Sequence, residues 1–303
     1  MKLFLKFILV IGILTGILYA VLSAFLNYKP KQNTIKLYDV KADKLVIISE
    51  DDYLTGVVAS EMPVSFETEA LKAQAVSARS YYLTRADKKQ SAHKFNADVC
   101  TDFAHCQAYL DIDALKKNWG NEFNKNIKKV KNAVKATKGE VLTYNGEIID
   151  AVFHSTSSGR TQNSEDVWST KKDYLRSVES HIDEKSPKFL SSKSFSADEL
   201  KTLLKIDDDI TIDGAEYNEG LSVKRIVISG IDFKGTQIRS ALGLKSACFD
   251  VDCKDGIYTF NTKGYGHGVG MSQWGANLMA KDGTTYNKIL KKYYTGVEIT
   301  KLK

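Results

Sequence analysis

From Phe7 to Leu26 the chain reads FILVIGILTGILYAVLSAFL, twenty residues without a charge. As a helix rising about 1.5 Å per residue, this run spans roughly the 30 Å hydrocarbon core of a bilayer. The apolar core of a cleavable signal is usually about 7–15 residues, so an uncleaved single-pass N-terminal membrane helix over 1–28 is expected. LSA at 22–24 is a weak cleavage candidate, which leaves cleavage open. Lys2 and Lys6 face Lys29, Lys31 and Lys36 across the run, a small basic bias. A short tail before a first apolar segment stays in the cytoplasm, which places residues 29–303 outside it.

Beyond the anchor the pattern changes. TIKLYDV (34–40) and KLVIISE (44–50) read as short strands from their β-branched content. DDYLTGVVASE predicts a short helix with Asp51 or Asp52 at its N-cap. A second helix is predicted over 67–87, with Leu71, Ala75, Ala78 and Tyr82 on one stripe and Lys72, Gln74 and Arg79 on other faces. The lysine-rich stretch 114–137 reads as helix, and residues 140–156 as a hairpin turning at Asn145-Gly146. Ser196 and Glu199 form a capping box within 183–222, a possible accessory insert. KRIVISGID is a strand, and YNKILKKYYTG an amphipathic helix closed by Gly296. Without a sustained βαβ rhythm, the expectation is an α+β fold, a mixed α/β ectodomain with a substrate groove.

Composition is that of a globular protein: 43% hydrophobic and 26% charged, with three prolines in 303 residues. The net charge of +6 is spread out. It forms no arginine-rich block and no aromatic-basic interleaving, so nothing points to nucleic acid.

Glu61 stands out in VVASEMP. Leu54, Val57 and Val58 form the apolar stripe of their helix, and Glu61 follows at i+7, i+4 and i+3, on the buried side. Pro63 pushes Met62 out of the helical region and ends the helix there. Burial and the negative end of the helix dipole both disfavour the charged carboxylate. A glutamic acid kept protonated near neutral pH suits a general acid. A solvated glutamate at a helix end gives the same spacing.

DVCTDFAHCQAY (98–109) brings Cys100, His105 and Cys106 together, with His93 upstream as a fourth tetrahedral zinc ligand. The rival is a Cys100–Cys106 disulfide, natural in an exported chain. Cys248 and Cys253 read as a loop disulfide or two free thiols. In FHSTSSGRT (153–161), His154 and Ser155 are strand neighbours that point to opposite faces, which disfavours a nucleophile–base pair. Hydroxyls lining a sugar site and a plain polar turn both fit. KGYGHGVGMSQWG lets the backbone turn tightly and approach a ligand closely. It lacks a phosphate-loop lysine, so His267, Ser272 and Gln273 read as a ligand-facing rim, with a purely structural bend as the rival.

These blocks, together with ASEMPVSFETEALKAQAVSARSYYL and RSALGLKSACF, resemble the stage II sporulation protein D family, in family order from about 50 to 297. The same domain occurs in proteins described as amidase enhancers. The resemblance implies a lytic transglycosylase of denuded peptidoglycan glycan strands, acting in the cell membrane during engulfment of the forespore. Glu61 would be its catalytic acid, and sporulation protein P, an amidase, and sporulation protein M its membrane partners. It implies one structural Zn2+ at the CTDFAHC segment and no cofactor for the chemical step. Arg79, Lys72 and Gln74 follow Glu61 in the motif as substrate-binding candidates, joined by Tyr109, His154, Ser155, His267 and Gln273.

Overall fold

The computed structural model describes residues 34–87 and 93–302. The expected anchor lies outside them. Among the described residues, no helix is long and apolar enough to cross a membrane.

The architecture is mixed α+β. At its centre runs the helix Thr68–Asp87, buried on nearly every side between Ala70 and Tyr82. Alanines at 70, 73, 75 and 78 let neighbours approach closely, and the helix packs against Glu50–Glu61, Phe123–Ala136, Gln273–Lys281 and Tyr286–Tyr293. The helix Glu50–Glu61 starts one residue earlier than predicted. Ser49, not an aspartate, caps it by accepting from the Asp52 N–H. It ends where Pro63 requires, with Met62 extended and its N–H bonded to Val58 O. The lysine-rich stretch forms two helices, Ile112–Trp119 and Phe123–Ala136, because Gly120 at φ +49° breaks the run.

Small sheets cover this core. Thr34–Asp39 lies between Lys44–Ser49 and Val99–Cys100. Glu140–Tyr144 lies between Glu147–Ile148 and the last strand, Glu298–Lys301, and turns at Asn145-Gly146 as predicted. The amphipathic helix Tyr286–Tyr293 is therefore not the end of the fold, and it closes on an extended Tyr294 rather than on Gly296. Phe153–His154 pairs in parallel with Met271–Ser272, which brings the glycine loop against the hydroxyl-rich segment.

A second core is drawn from Phe195 to Phe260, including Leu200, Ile226, Ile228 and Ile238. Two three-stranded sheets and the helices Ala197–Leu204 and Gly235–Leu242 supply it. The expected insert over 183–222 overlaps only its first part, since this core runs on to Phe260.

Candidate active site and metal-ligand cluster

Glu61 is half-buried at the end of its helix. Its Oε1 accepts from the Ala108 N–H at 2.8 Å, and the Gln273 side-chain amide donates to the same carboxyl. Burial raises its pKa, outweighing the two hydrogen bonds, which lower it. Gln273 also donates to Gln74 Oε1 at 3.3 Å, so three chain segments meet at one carboxyl and a fourth holds the amide that bonds it.

Two clefts open from Glu61. One, about 740 Å³, is bounded by Met62, Pro63, Ser155, Lys188, Gln273 and Trp274, with Phe66 edge-on to Trp274 at 4.8 Å. The other is wider, about 1990 Å³ including open solvent, and runs past Phe103, Phe153 and Trp168. Phe103 is 79% exposed and Trp168 44% exposed, surfaces suited to stacking on sugar rings. Asp150 is the other carboxylate lining this cleft, and it is engaged by Arg85 at 3.6 Å and Lys172 at 3.3 Å.

Beside the wider cleft, one donor atom from each of His93, Cys100, His105 and Cys106 lies within 4.8 Å of the others. Tetrahedral zinc with Zn–S about 2.3 Å and Zn–N about 2.0–2.1 Å has ligand-to-ligand edges of about 3.3–3.8 Å. Here the two sulfurs are 3.6 Å apart and unbonded, the two nitrogens 3.1 Å, and three of the four sulfur–nitrogen pairs 3.3–3.5 Å, with Cys100 and His93 the remaining pair inside the 4.8 Å bound. The donor set thus fits such an ion better than it fits a disulfide. Adjacent His105 and Cys106 both face inward because a turn bonds both their N–H groups to Asp102 O. His93 Nδ1 lies 3.2 Å from Ala97 O, which leaves Nε2 turned to the cluster. Burial pushes the Cys106 thiol up to about 12, a penalty that a bound cation reverses.

The family model described as "Stage II sporulation protein" matches residues 38–144, which include Glu61 and all four cluster residues. The chain is 40% identical over 270 residues to stage II sporulation protein D of Bacillus amyloliquefaciens, covering 88% of this chain and 78% of that one. The chain belongs to the stage II sporulation protein D family. Its counterpart in Bacillus subtilis (strain 168) is 41% identical, over 88% of this chain and 79% of the relative. An amidase enhancer of the same organism is 30% identical, over 82% of this chain and 40% of its own length.

In this family member the expected groove residues divide. Ser155 and Gln273 line the pocket with Glu61, and His267 lines the wider cleft. Gln74 is buried behind Gln273 and positions it. Arg79 does not reach either cleft. It is 0% exposed and donates to Glu50 Oε1, Thr137 O and Glu140 O. Lys72 pairs with Glu69 at 2.6 Å, and Tyr109 stacks on Tyr53 over Gly56; neither lines the clefts beside Glu61.

The hydroxyl-rich segment is largely structural. Ser157, with Ser180 and Ser272, donates to the buried Asp183. His154 faces inward, away from Ser155, and its Nδ1 donates to Val269 O. His267 bonds Phe153 O through Nε2 and accepts from the Val269 N–H. Burial drives His154 down to about 3 and His267 down to about 4, so both are neutral at physiological pH. The glycines of this loop serve backbone packing rather than ligand approach. A Cβ on Gly270, at φ +71°, would sit 2.1 Å from Val152 O, and one on Gly266 would sit 2.9 Å from His154 Cβ. Cys248 and Cys253 are five residues apart along one strand direction, about 16 Å, so they form no disulfide.

The clefts also hold residues that the sequence did not single out: Arg85, Asp150, Trp168 and Lys172. Each sits alone in a loop or at a helix end, outside any periodic pattern. The one available signal was an apolar Phe103 and Trp168 among polar neighbours.

Proposed function

We propose that this family member is a membrane-anchored lytic transglycosylase that cuts denuded peptidoglycan strands during engulfment, leaving 1,6-anhydro-N-acetylmuramic acid ends. The observation that carries the proposal is a single unpaired carboxyl, raised in pKa by burial, where two aromatic-walled clefts meet. A hydrolase needs two working carboxylates flanking the bond. The other acid of these clefts, Asp150, is held by two cations.

Protonated Glu61 gives its proton to the glycosidic oxygen as the C1–O bond breaks and C1 gains oxocarbenium character. The resulting carboxylate, held by Ala108 N–H and Gln273, takes the proton from the C6 hydroxyl. O6 then closes on C1, and no water is consumed. A Zn2+ held by His93, Cys100, His105 and Cys106 supplies structural cross-linking of the segment that leads to Ala108. The sporulation protein P amidase, with sporulation protein M in the membrane, would supply the denuded strands.

Mass spectrometry of denuded strands incubated with the full chain tests this. Anhydro ends are expected, and Glu61→Ala and Glu61→Gln should abolish them while strands still bind. Water-added reducing ends would sink the transglycosylase reading. The likeness to an amidase enhancer supports one other reading, a non-catalytic wall-binding module. It predicts no glycan products but a faster amidase.

A further inference from the structure

Arg239 presents an unusual side chain. Every other arginine of the chain pairs with a carboxylate: Arg79 with Glu50, Arg85 with Asp150, Arg160 with Glu179, Arg176 with Glu165, and Arg225 with Asp232. Among the described residues no carboxylate or carbonyl accepts from the Arg239 guanidinium, although it is half-buried and burial lowers its pKa. A half-buried guanidinium without a protein acceptor is free to take an anion arriving from outside.

Arg239 lines a small, partly open cavity between the helix Gly235–Leu242, the hydroxyl-rich segment and the glycine loop. Lys263 adds a second cation, Thr236 and Ser246 line the wall as hydroxyls, and no aspartate or glutamate lines it. The cavity adjoins the candidate active site. His267 lines both this cavity and the wider cleft from Glu61, and Trp168 of that cleft covers the same imidazole at 4.8 Å.

A denuded strand differs from an intact one in a single functional group per muramic acid. The lactyl group ends in a free carboxylate where it formerly made an amide to the stem peptide. A guanidinium accepts a carboxylate in a bidentate pair and gains no such partner from an amide. We propose that Arg239, helped by Lys263, binds the lactyl carboxylate of a muramic acid residue near the cleavage point and so sets the preference for strands without stem peptides. The inference rests on the glycan-strand reading of the site.

The test compares denuded strands with the same strands whose carboxylates have been converted to methylamides, using the full chain, Arg239→Ala and Arg239→Gln. The native protein should show KM at least about tenfold higher on the methylamide, with kcat little changed, the factor expected for one charge-assisted pair. Both variants should show the raised KM on denuded strands and no further loss on the methylamide. Equal KM for native protein on the two substrates overturns the proposal. So does an equal loss by the variants on both. If no strand is cleaved, the catalytic reading fails by itself and binding of uncleaved strands decides the carboxylate claim. Weaker binding of the methylamide by native protein, abolished in Arg239→Ala, supports it, and equal binding refutes it.

Discussion

Replacing Arg79 by leucine separates a structural arginine from a substrate-binding one. The guanidinium is 0% exposed and satisfies three acceptors: Glu50 Oε1 at 3.2 Å, Thr137 O at 2.7 Å and Glu140 O at 3.0 Å. Removing it leaves the Glu50 carboxylate with Tyr82 Oη as its remaining donor at 2.7 Å. Breaking one side of a buried ion pair costs about 3–5 kcal/mol, because the surviving charge stays desolvated. The two carbonyls add to that, though not additively. For a fold of this size about 1 kcal/mol moves Tm by roughly 2–4 °C, so Arg79→Leu should melt about 10–15 °C below native protein. Circular dichroism melts of the full chain measure this, alongside strand binding at a temperature where the variant is still folded. The folded fraction should bind normally. A variant melting within about 2 °C of native protein yet unable to bind strands would refute the reasoning and return Arg79 to the groove.

Two further outcomes follow from the same structure. Burial raises the folded-state pKa of Glu61, so its contribution to stability is fully present below its unfolded value of 4.5 and is lost as pH rises through the folded pKa. Glu61→Gln, which stays neutral, should therefore melt higher than native protein at about pH 8 and match it at about pH 4; an equal difference at both pH values would contradict the burial argument. Purified full chain should carry about one zinc by elemental analysis, and Cys106→Ser should lose it and melt several degrees lower. Native chain with less than about a tenth of an equivalent after purification without chelator would remove zinc from the account.

What could be read without coordinates depended on local rules. The helix ending at Glu61 follows from three apolar positions and one proline, and the Asn145-Gly146 turn from two residues. The Cys100–Cys106 segment could be located but not decided, since spacing alone does not say whether two sulfurs bond or face a common centre. Arg79 and Gln74 were misplaced for a different reason. Their helix is buried all round, so polar residues on it are not a solvent face but internal ties. Nor does periodicity show that Gly270 abuts Val152 O, or that Asp183 gathers Ser157 and Ser272 from separate segments. Those are contacts between residues tens of positions apart.

The ties around Glu61 also order events in time. Residues 61, 74 and 108 leave the ribosome well before Gln273 does. Ser155 and Trp274 complete the pocket wall, and Asn277 accepts from the Glu67 N–H just beyond the helix that ends at Glu61. A chain halted before residue 273 thus carries Glu61 without the amide that orients it or the wall that shields it. Competence arrives only once Gln273 and Trp274 have been made, so a product truncated before them should be inert rather than partly active.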